Sequence, residues 1–352
     1  MLPEIIYKGS VKDVRGKTGV SPYIFEYSDR YSIYDWGQMP DLLAHKGECL
    51  AFLAWFFFDY LEKKGVKHHL LGKPEGRLLS VQPVDVFKPA SATKDGKLVW
   101  DYSAYQKRPV NALVPLEVIF RFGVPEGSSL LKRTADPAYC KEIGLDHAPE
   151  TGDMFAHPVI ECSTKLENKD RYISRTEAAK IAGLNETELQ NLFRMASDAA
   201  AHLKTCFDGI GVTLWDGKFE FAFTEEEDGA RGFMLVDSIG PDELRLTQGG
   251  MHLSKEMLRA HYKGSAWLAA LEKAKTLADE RGEKDWKNIC REELRQSPAP
   301  LPKEAKEKAE MIYMSLCEAL TRKYLGTSVY KDAWPLDILS TSLKDLREKA
   351  AA

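Results

Sequence analysis

Along Trp215-Asp216-Gly217-Lys218-Phe219-Glu220-Phe221-Ala222-Phe223, charged and aromatic positions alternate. Successive side chains of a strand point to opposite faces, so Phe219, Phe221 and Phe223 share one face and Asp216, Lys218 and Glu220 the other. A second strand, Phe233 to Asp237, follows the polar stretch 224–232. A hairpin centred near Asp228 sets Glu220 about opposite Asp237.

Upstream, Glu4 to Arg15 reads as two short strands about Gly9, Pro22 to Tyr27 as a strand, and Leu78 to Phe87 as another. Glu48 to Lys64 is apolar on most faces and reads as a buried helix ended by Gly65. Lys94-Asp95-Gly96-Lys97 signals a hairpin or loop. Pro115 interrupts the apolar run Val110 to Phe122, which argues against a mid-sheet position there and for a connection between lobes.

Asn185 to Phe207 is a helix with Asn185 as N-cap and Glu188 three residues on. Leu253 to Arg281 and Lys303 to Tyr324 carry helical spacing on either side of the proline-rich linker 297–302. The tail beyond Gly326 offers few landmarks. Strand-rich and mixed segments followed by helices favour α+β over a doubly wound sheet. The expected units are a small lobe over 1–110, a larger lobe over 111–250, and a helical region over 251–352 packed on the larger lobe.

Composition narrows the class. The 352 residues are 44% hydrophobic and 29% charged, with a net charge of -4, so bulk charge draws no nucleic acid. The longest apolar run, Leu50 to Phe58, is far short of the ~20 residues a membrane span needs. Six widely spaced cysteines without a CxxC pair read as free thiols, and no signal peptide opens the chain, so the expectation is cytoplasmic. The chain has no GxxxxGK[ST], HExxH or GxSxG motif, and His68-His69 reads as a surface pair after a helix.

Candidate chemistry follows the charges. Glu220 across from Asp237 is repulsive. A divalent cation would reverse that sign, and carboxylates near a lysine commonly hold Mg²⁺ on nucleotide phosphates. Water-facing charges on a half-exposed hairpin are the alternative. Gly9 with Lys12 could approach a phosphate, or could belong to a solvated hairpin. The run Ser28 to Asp35 could be a substrate loop or a salt-bridged turn. Arg121 with the turn Gly127-Ser128 suits a phosphomonoester, or is a paired arginine near a loop. Lys165 and Asp170 are candidate phosphate and metal-shell groups, and Gly240-Pro241 draws Asp242 and Arg245 close behind Asp237, or is a bare turn.

Six segments, taken in order over residues 4–246, resemble the phosphoribosylaminoimidazole-succinocarboxamide synthase (SAICAR synthetase) family of purine biosynthesis. They are Tyr7 to Val14, Ser28 to Asp35, Pro115 to Arg121 with Gly127-Ser128, Ser163 to Lys165 with Asp170, Asp216 to Phe221, and Asp237 with Pro241, Asp242 and Arg245. The resemblance implies a two-lobed, ATP-grasp- and kinase-like α+β fold with C-terminal helices. It implies a ligase that joins carboxyaminoimidazole ribotide to L-aspartate, with ATP cleaved through an acyl phosphate.

On that resemblance, Glu220 and Asp237 would hold Mg²⁺, with Asp216 nearby. Gly9, Lys12 and Lys165 would meet ATP, and Lys218 would face the reacting carboxylate. Val114, within the connection from Asn111 to Glu117, would lie in the adenine contacts. Arg121, Ser128 and Arg245 would grip the ribotide phosphate beside Asp242. Asp29, Ser32 and Asp35 would form a substrate loop. The implied partners are small molecules, with no nucleic acid and no membrane, and a homo-oligomer stays compatible.

Ser10 and Ser238 depart from the family's lysine and glutamate, and 275–297 looks like an insertion. A kinase-like phosphotransferase and a catalytically silent nucleotide-binding protein remain alternatives.

Overall fold

The computed structural model describes residues 2–94, 97–227, 229–283 and 285–351. The expected turn tips at Asp95-Gly96 and Asp228 lie outside the described residues.

The first sheet is antiparallel, in the order β1 (Ile5–Lys8), β2 (Lys12–Lys17), β3 (Val20–Tyr27) and β4 (Leu78–Val81). Gly9 closes the β1–β2 turn. Its N–H donates to Lys12 O at 3.0 Å, and a Cβ there would collide with that same carbonyl. The helix Lys46–Glu62 packs against β3 and β4, and Gly65 follows it with a positive φ.

A separate hairpin, β5 (Ala90–Lys94) and β6 (Lys97–Asp101), precedes the second sheet. That sheet is built from β7 (Leu116–Gly123), β8 (Met154–Thr164), β9 (Tyr172–Ile173), β10 (Thr213–Glu225), β11 (Arg231–Val236), β12 (Leu244–Gln248) and β13 (Met251–His252). Its order is β13-β12-β10-β7-β8-β9, with β11 paired to β10 off this path.

The first half of β10 lies between β12 and β7. Its second half leaves them, pairs with β11 on one edge, and takes the connection before β7 on the other. There Val114 N donates to Phe221 O, and Phe223 N to Ala112 O, both at 2.8 Å. The edge of β11 in turn meets 67–69, and Leu70 bridges Val81 of β4, so backbone pairing runs continuously between the sheets. Pro115 sits just before β7, where it ends the connection without interrupting a central strand.

Phe219, Phe221 and Phe223 are fully buried, and Phe219 stacks on Phe120 at 4.7 Å. A Cβ on Gly217 would come within 2.7 Å of the Phe120 ring, so this cover requires glycine. The expected register shifts by one. Glu220 pairs with Val236, and Asp237 lies just past the strand at φ +67. A one-residue step moves a side chain to the other face, and the left-handed backbone re-aims it.

Capping carries Glu186–Asp208 as expected: Asn185 accepts from Glu188 N, and Glu188 closes the box. The helical run after Leu253 divides into Glu256–Tyr262 and Ala266–Arg281. Gly264 turns at φ +81, and Ser265 caps the second helix. Lys303–Leu325 packs on Lys46–Glu62. The tail holds a further helix, Leu336–Ala351, whose Leu336, Leu339 and Leu343 are buried at helical spacing.

The expected surface pair is corrected: His69 is buried between Phe25 and Phe58, and His68 lies beside Phe58. The cause is the turn at Gly65, which sends 67–69 inward to pair with β11. All six cysteines are buried and unpaired. Among the described residues no helix is long and apolar enough to cross a membrane.

Because Phe219 fills this core, Phe219→Ala is expected to lower stability by about 3–5 kcal/mol. Urea unfolding of the purified variant measures it, and a change below about 1 kcal/mol would place the aromatic face outside the core.

Candidate functional site

A cavity of about 1270 Å³ lies between the two sheets. It exceeds the usual size of a site for one small ligand. β2 brings Lys12 to it, β10 brings Lys218 and Glu220, the end of β8 brings Lys165, and the end of β11 brings Asp237.

These side chains arrive paired. Lys12 Nζ donates to Asp237 Oδ1 at 2.6 Å and to Ser238 Oγ at 2.8 Å, and lies 4.5 Å from the Phe25 ring centre. Tyr27 holds Ser238 at 2.7 Å, so one of the two departures from the family pattern helps to seat Lys12. Lys165 pairs with Glu220, and Lys218 pairs with Glu117. Glu117, which the sequence reading did not single out, also lies 3.9 Å from Lys165. Its signal was a lone carboxylate inside the apolar run of β7.

Burial works against each ammonium, but Asp237, Glu220 and Glu117 outweigh it. The pKa values of Lys12, Lys165 and Lys218 are all raised. Burial also pushes the Asp237 carboxyl up, yet Lys12 and Lys165 hold it at about 2. Glu220 moves the other way, raised by burial and then by the Asp237 charge. The two carboxylates therefore share one field. Among the described residues, no group of three His, Cys, Asp or Glu side chains could hold a metal alone. Two carboxylates fit Mg²⁺, which keeps water and takes further ligands from phosphate.

Beside the charges is an apolar patch in which Leu113, Val236, Val84 and Leu166 pack with Ala222 and Met234. It is Leu113 that lines the cavity, while Val114 is buried in the main core. A flat apolar wall next to cationic groups suits a base carrying phosphates.

The run from Ser28 to Asp35 turns out to be both loop and salt-bridged turn. Arg30 pairs with Asp13 at 2.7 Å. Asp29 accepts from Gly47 N at 2.9 Å and meets Arg77 at 3.2 Å. Ser32 and Asp35 line the cavity, as does Gly9. Asp242 also lines it, but Lys46 and Tyr313 already hold both of its oxygens, at 2.7 and 2.8 Å.

Asp216, Arg121, Ser128 and Arg245 do not line this cavity; three of them lie across neighbouring strands, with Arg121 and Arg245 both pairing Asp216. Arg121 is fully engaged by Glu161, Asp216 at 2.9 Å and the Tyr172 hydroxyl at 2.9 Å. Ser128 is buried. Arg245 lies 3.6 Å from Asp216, and its Nη1 is buried without a hydrogen-bond partner. That nitrogen is the one facing Asp216 Oδ2, beyond hydrogen-bond range. Asp170 is exposed and does not line the cavity, but it faces Lys218 and Lys165, and burial, then the Glu117 charge, push its carboxyl up to about 6. His69, also missed in sequence, reaches the cavity, with Nε2 3.2 Å from Asp237 O.

A curled antiparallel sheet joined to a smaller one, with charged side chains between them, defines an α+β protein of ATP-grasp-like form. A family model described as SAICAR synthetase matches residues 5–274. A protein of Archaeoglobus fulgidus provisionally named phosphoribosylaminoimidazole-succinocarboxamide synthase is 35% identical over 340 residues, covering 92% of this chain and 97% of its own. The phosphoribosylaminoimidazole-succinocarboxamide synthase of Thermoplasma acidophilum is 28% identical, covering 90% and 98%.

Among solved structures, a SAICAR synthetase in complex with ADP aligns with TM-score 0.53 and 25% identity, over 73% of this chain and 90% of its own. The SAICAR synthase of Saccharomyces cerevisiae, complexed with SAICAR, shares the fold at TM-score 0.60 and 21% identity, over 93% and 96%. The chain belongs to the SAICAR synthetase family.

Arg121→Met leaves Glu161 and Asp216 short of a buried partner, and is expected to destabilise by about 3 kcal/mol. The double variant Arg121→Met/Glu161→Met should recover part of that loss in urea unfolding. A single-variant cost below about 1 kcal/mol would free Arg121 for a ligand role.

Proposed function

We propose that this chain joins carboxyaminoimidazole ribotide to L-aspartate, giving SAICAR, ADP and phosphate. The observation that carries this reading is the convergence of Lys12, Lys165 and Lys218 with Glu220 and Asp237 on one cavity, in a chain of this family. Residues 1–110 and 111–250 are read as the two lobes, and 251–352 as the helical region. Six free thiols suit a reducing cytoplasm.

A carboxylate is a poor electrophile, so the γ-phosphoryl group is first placed on it. The amine of aspartate then attacks the acyl carbon and phosphate leaves. Phosphoryl transfer depends on positioning and on neutralising charge. Lys12 and Lys165 are the cations placed for the ATP phosphates, and Gly9 lets backbone come close. Lys218 faces the carboxylate that reacts. Glu220 and Asp237 would hold Mg²⁺, which neutralises charge on the phosphates when bound. The wall at Leu113 and Val236 receives the base. Arg245 is the grip for the ribotide phosphate, while Arg121 orients Asp216 beside it. Ser32, Asp35 and Asp242 border the substrates.

ADP release should require ATP, ribotide and aspartate together, and should stop on chelation of divalent cations. Sustained release without aspartate would identify a kinase-like phosphotransferase instead. Lys218→Ala is expected to lose turnover with an unchanged melting temperature, and an unfolded variant would make that lysine structural.

A further inference from the structure

Glu243 lines the same cavity, and its Oε2 is buried with no hydrogen-bond partner among the described residues. Such an oxygen is costly to bury and calls for a use. Its position is close to the reacting centre. Lys218 N donates to Glu243 O at 3.2 Å, and Leu244 pairs with Gly217 across β10 and β12. Asp237, Glu220 and Asp242 of the same cavity are already held, by Lys12, by Lys165, and by Lys46 with Tyr313; outside its lining, Glu117 is held by Lys218, and Asp170 faces Lys218 from an exposed position.

We propose that Glu243 is the base that accepts a proton from the α-ammonium of L-aspartate before its nitrogen attacks the acyl phosphate. The inference rests on the ligase reading above. The step balances. The ammonium gives one proton to the Glu243 carboxylate, and the freed lone pair forms the C–N bond. The C–O bond to phosphate then breaks with its electron pair, and the second nitrogen proton leaves with the phosphate. Glu243 returns its proton to water.

The surroundings suit that task. Lys12 and Tyr27 face Glu243 from the first sheet, Asp237 and Asp242 from its own segment, Lys255 from the start of the helix Glu256–Tyr262, and Tyr313 from Lys303–Leu325. Burial, and then the Asp242 charge, push the Glu243 carboxyl up to about 7. A base poised there can both take and release a proton near neutral pH. Burial lowers the pKa of the nearby Lys255 ammonium, against the pull of Asp242.

Hydroxylamine separates the roles, because it is already an unprotonated nucleophile at neutral pH and needs no base. With Glu243→Gln, the rate with aspartate is expected to fall by about 10²–10⁴-fold. ADP release with ribotide and hydroxylamine should be unchanged. In the unmodified protein, kcat with aspartate should fall away below about pH 7, a limb that is missing with hydroxylamine. Equal loss with both nucleophiles, or the same pH limb with both, would overturn the assignment. The comparison on the unmodified chain decides the matter even where the variant does not fold. No ribotide-dependent ADP release from the unmodified chain would overturn the ligase reading itself, a result distinct from either.

Discussion

Three ammoniums reach one cavity, each held by a carboxylate: Lys12 by Asp237 and Lys165 by Glu220, which line it too, and Lys218 by Glu117 from behind the lining. Taking charges out of water is costly, and the pairing offsets that cost, least at Lys218 and Asp237, whose side chains stay about a third exposed. The pairing ties β2, β7, β8, β10 and β11 to a common geometry. Under the proposed function it also prepares an exchange. A nucleotide's phosphates can take over the ammoniums, and the carboxylates then become free for a cation. Lysine suits that exchange because it is a point charge on a flexible stem. In the adjoining sheet an arginine fork holds two carboxylates at once, Glu161 and Asp216 at Arg121.

What brings the charges together is the divided pairing of β10. Its first half is central in the large sheet, and its second half turns away to β11. Aromatic residues on one face anchor both halves in the core, while the charges stay on the other. Regular alternation would still put Asp237 on the wrong side, since Val236 is the residue opposite Glu220. The left-handed backbone at Asp237 corrects this, a conformation that aspartate adopts more readily than most residues. Strain of that kind persists only where neighbours over-determine it, and Lys12 with the His69 contact to Asp237 O does so here.

The alternation at 216–223 was legible because a strand's period is short and local. The capping box at Asn185 and the glycine after Lys46–Glu62 were legible for the same reason. The exact partner of Glu220 was not, since one residue in the turn shifts every pair. His69 was misread because its burial depends on pairing with β11, more than 160 residues on. Glu117 and Glu243 could be seen as carboxylates but not as site groups, because the lysines and strands around them come from distant segments. The last helix was overlooked although Leu336, Leu339 and Leu343 have the right spacing.

The segment that looked like an insertion has a place in this logic. The family match stops at residue 274, and the chain that follows packs on the loop at Tyr34 to Gly37. Tyr34 and Asp35 are both left-handed, with φ of +54 and +63, which is unfavourable for two successive residues with side chains. Lys275 donates to Tyr34 O at 3.3 Å and pairs with Asp35 at 3.0 Å. Trp36 lies between Trp267 and Trp286, at 5.5 and 6.0 Å, with Arg291 over its ring at 4.9 Å. An exposed loop would relax such a backbone, so the added helices supply the contacts that keep it. Since Ser32, Tyr34 and Asp35 border the cavity, this part of its wall is set from both ends of the chain.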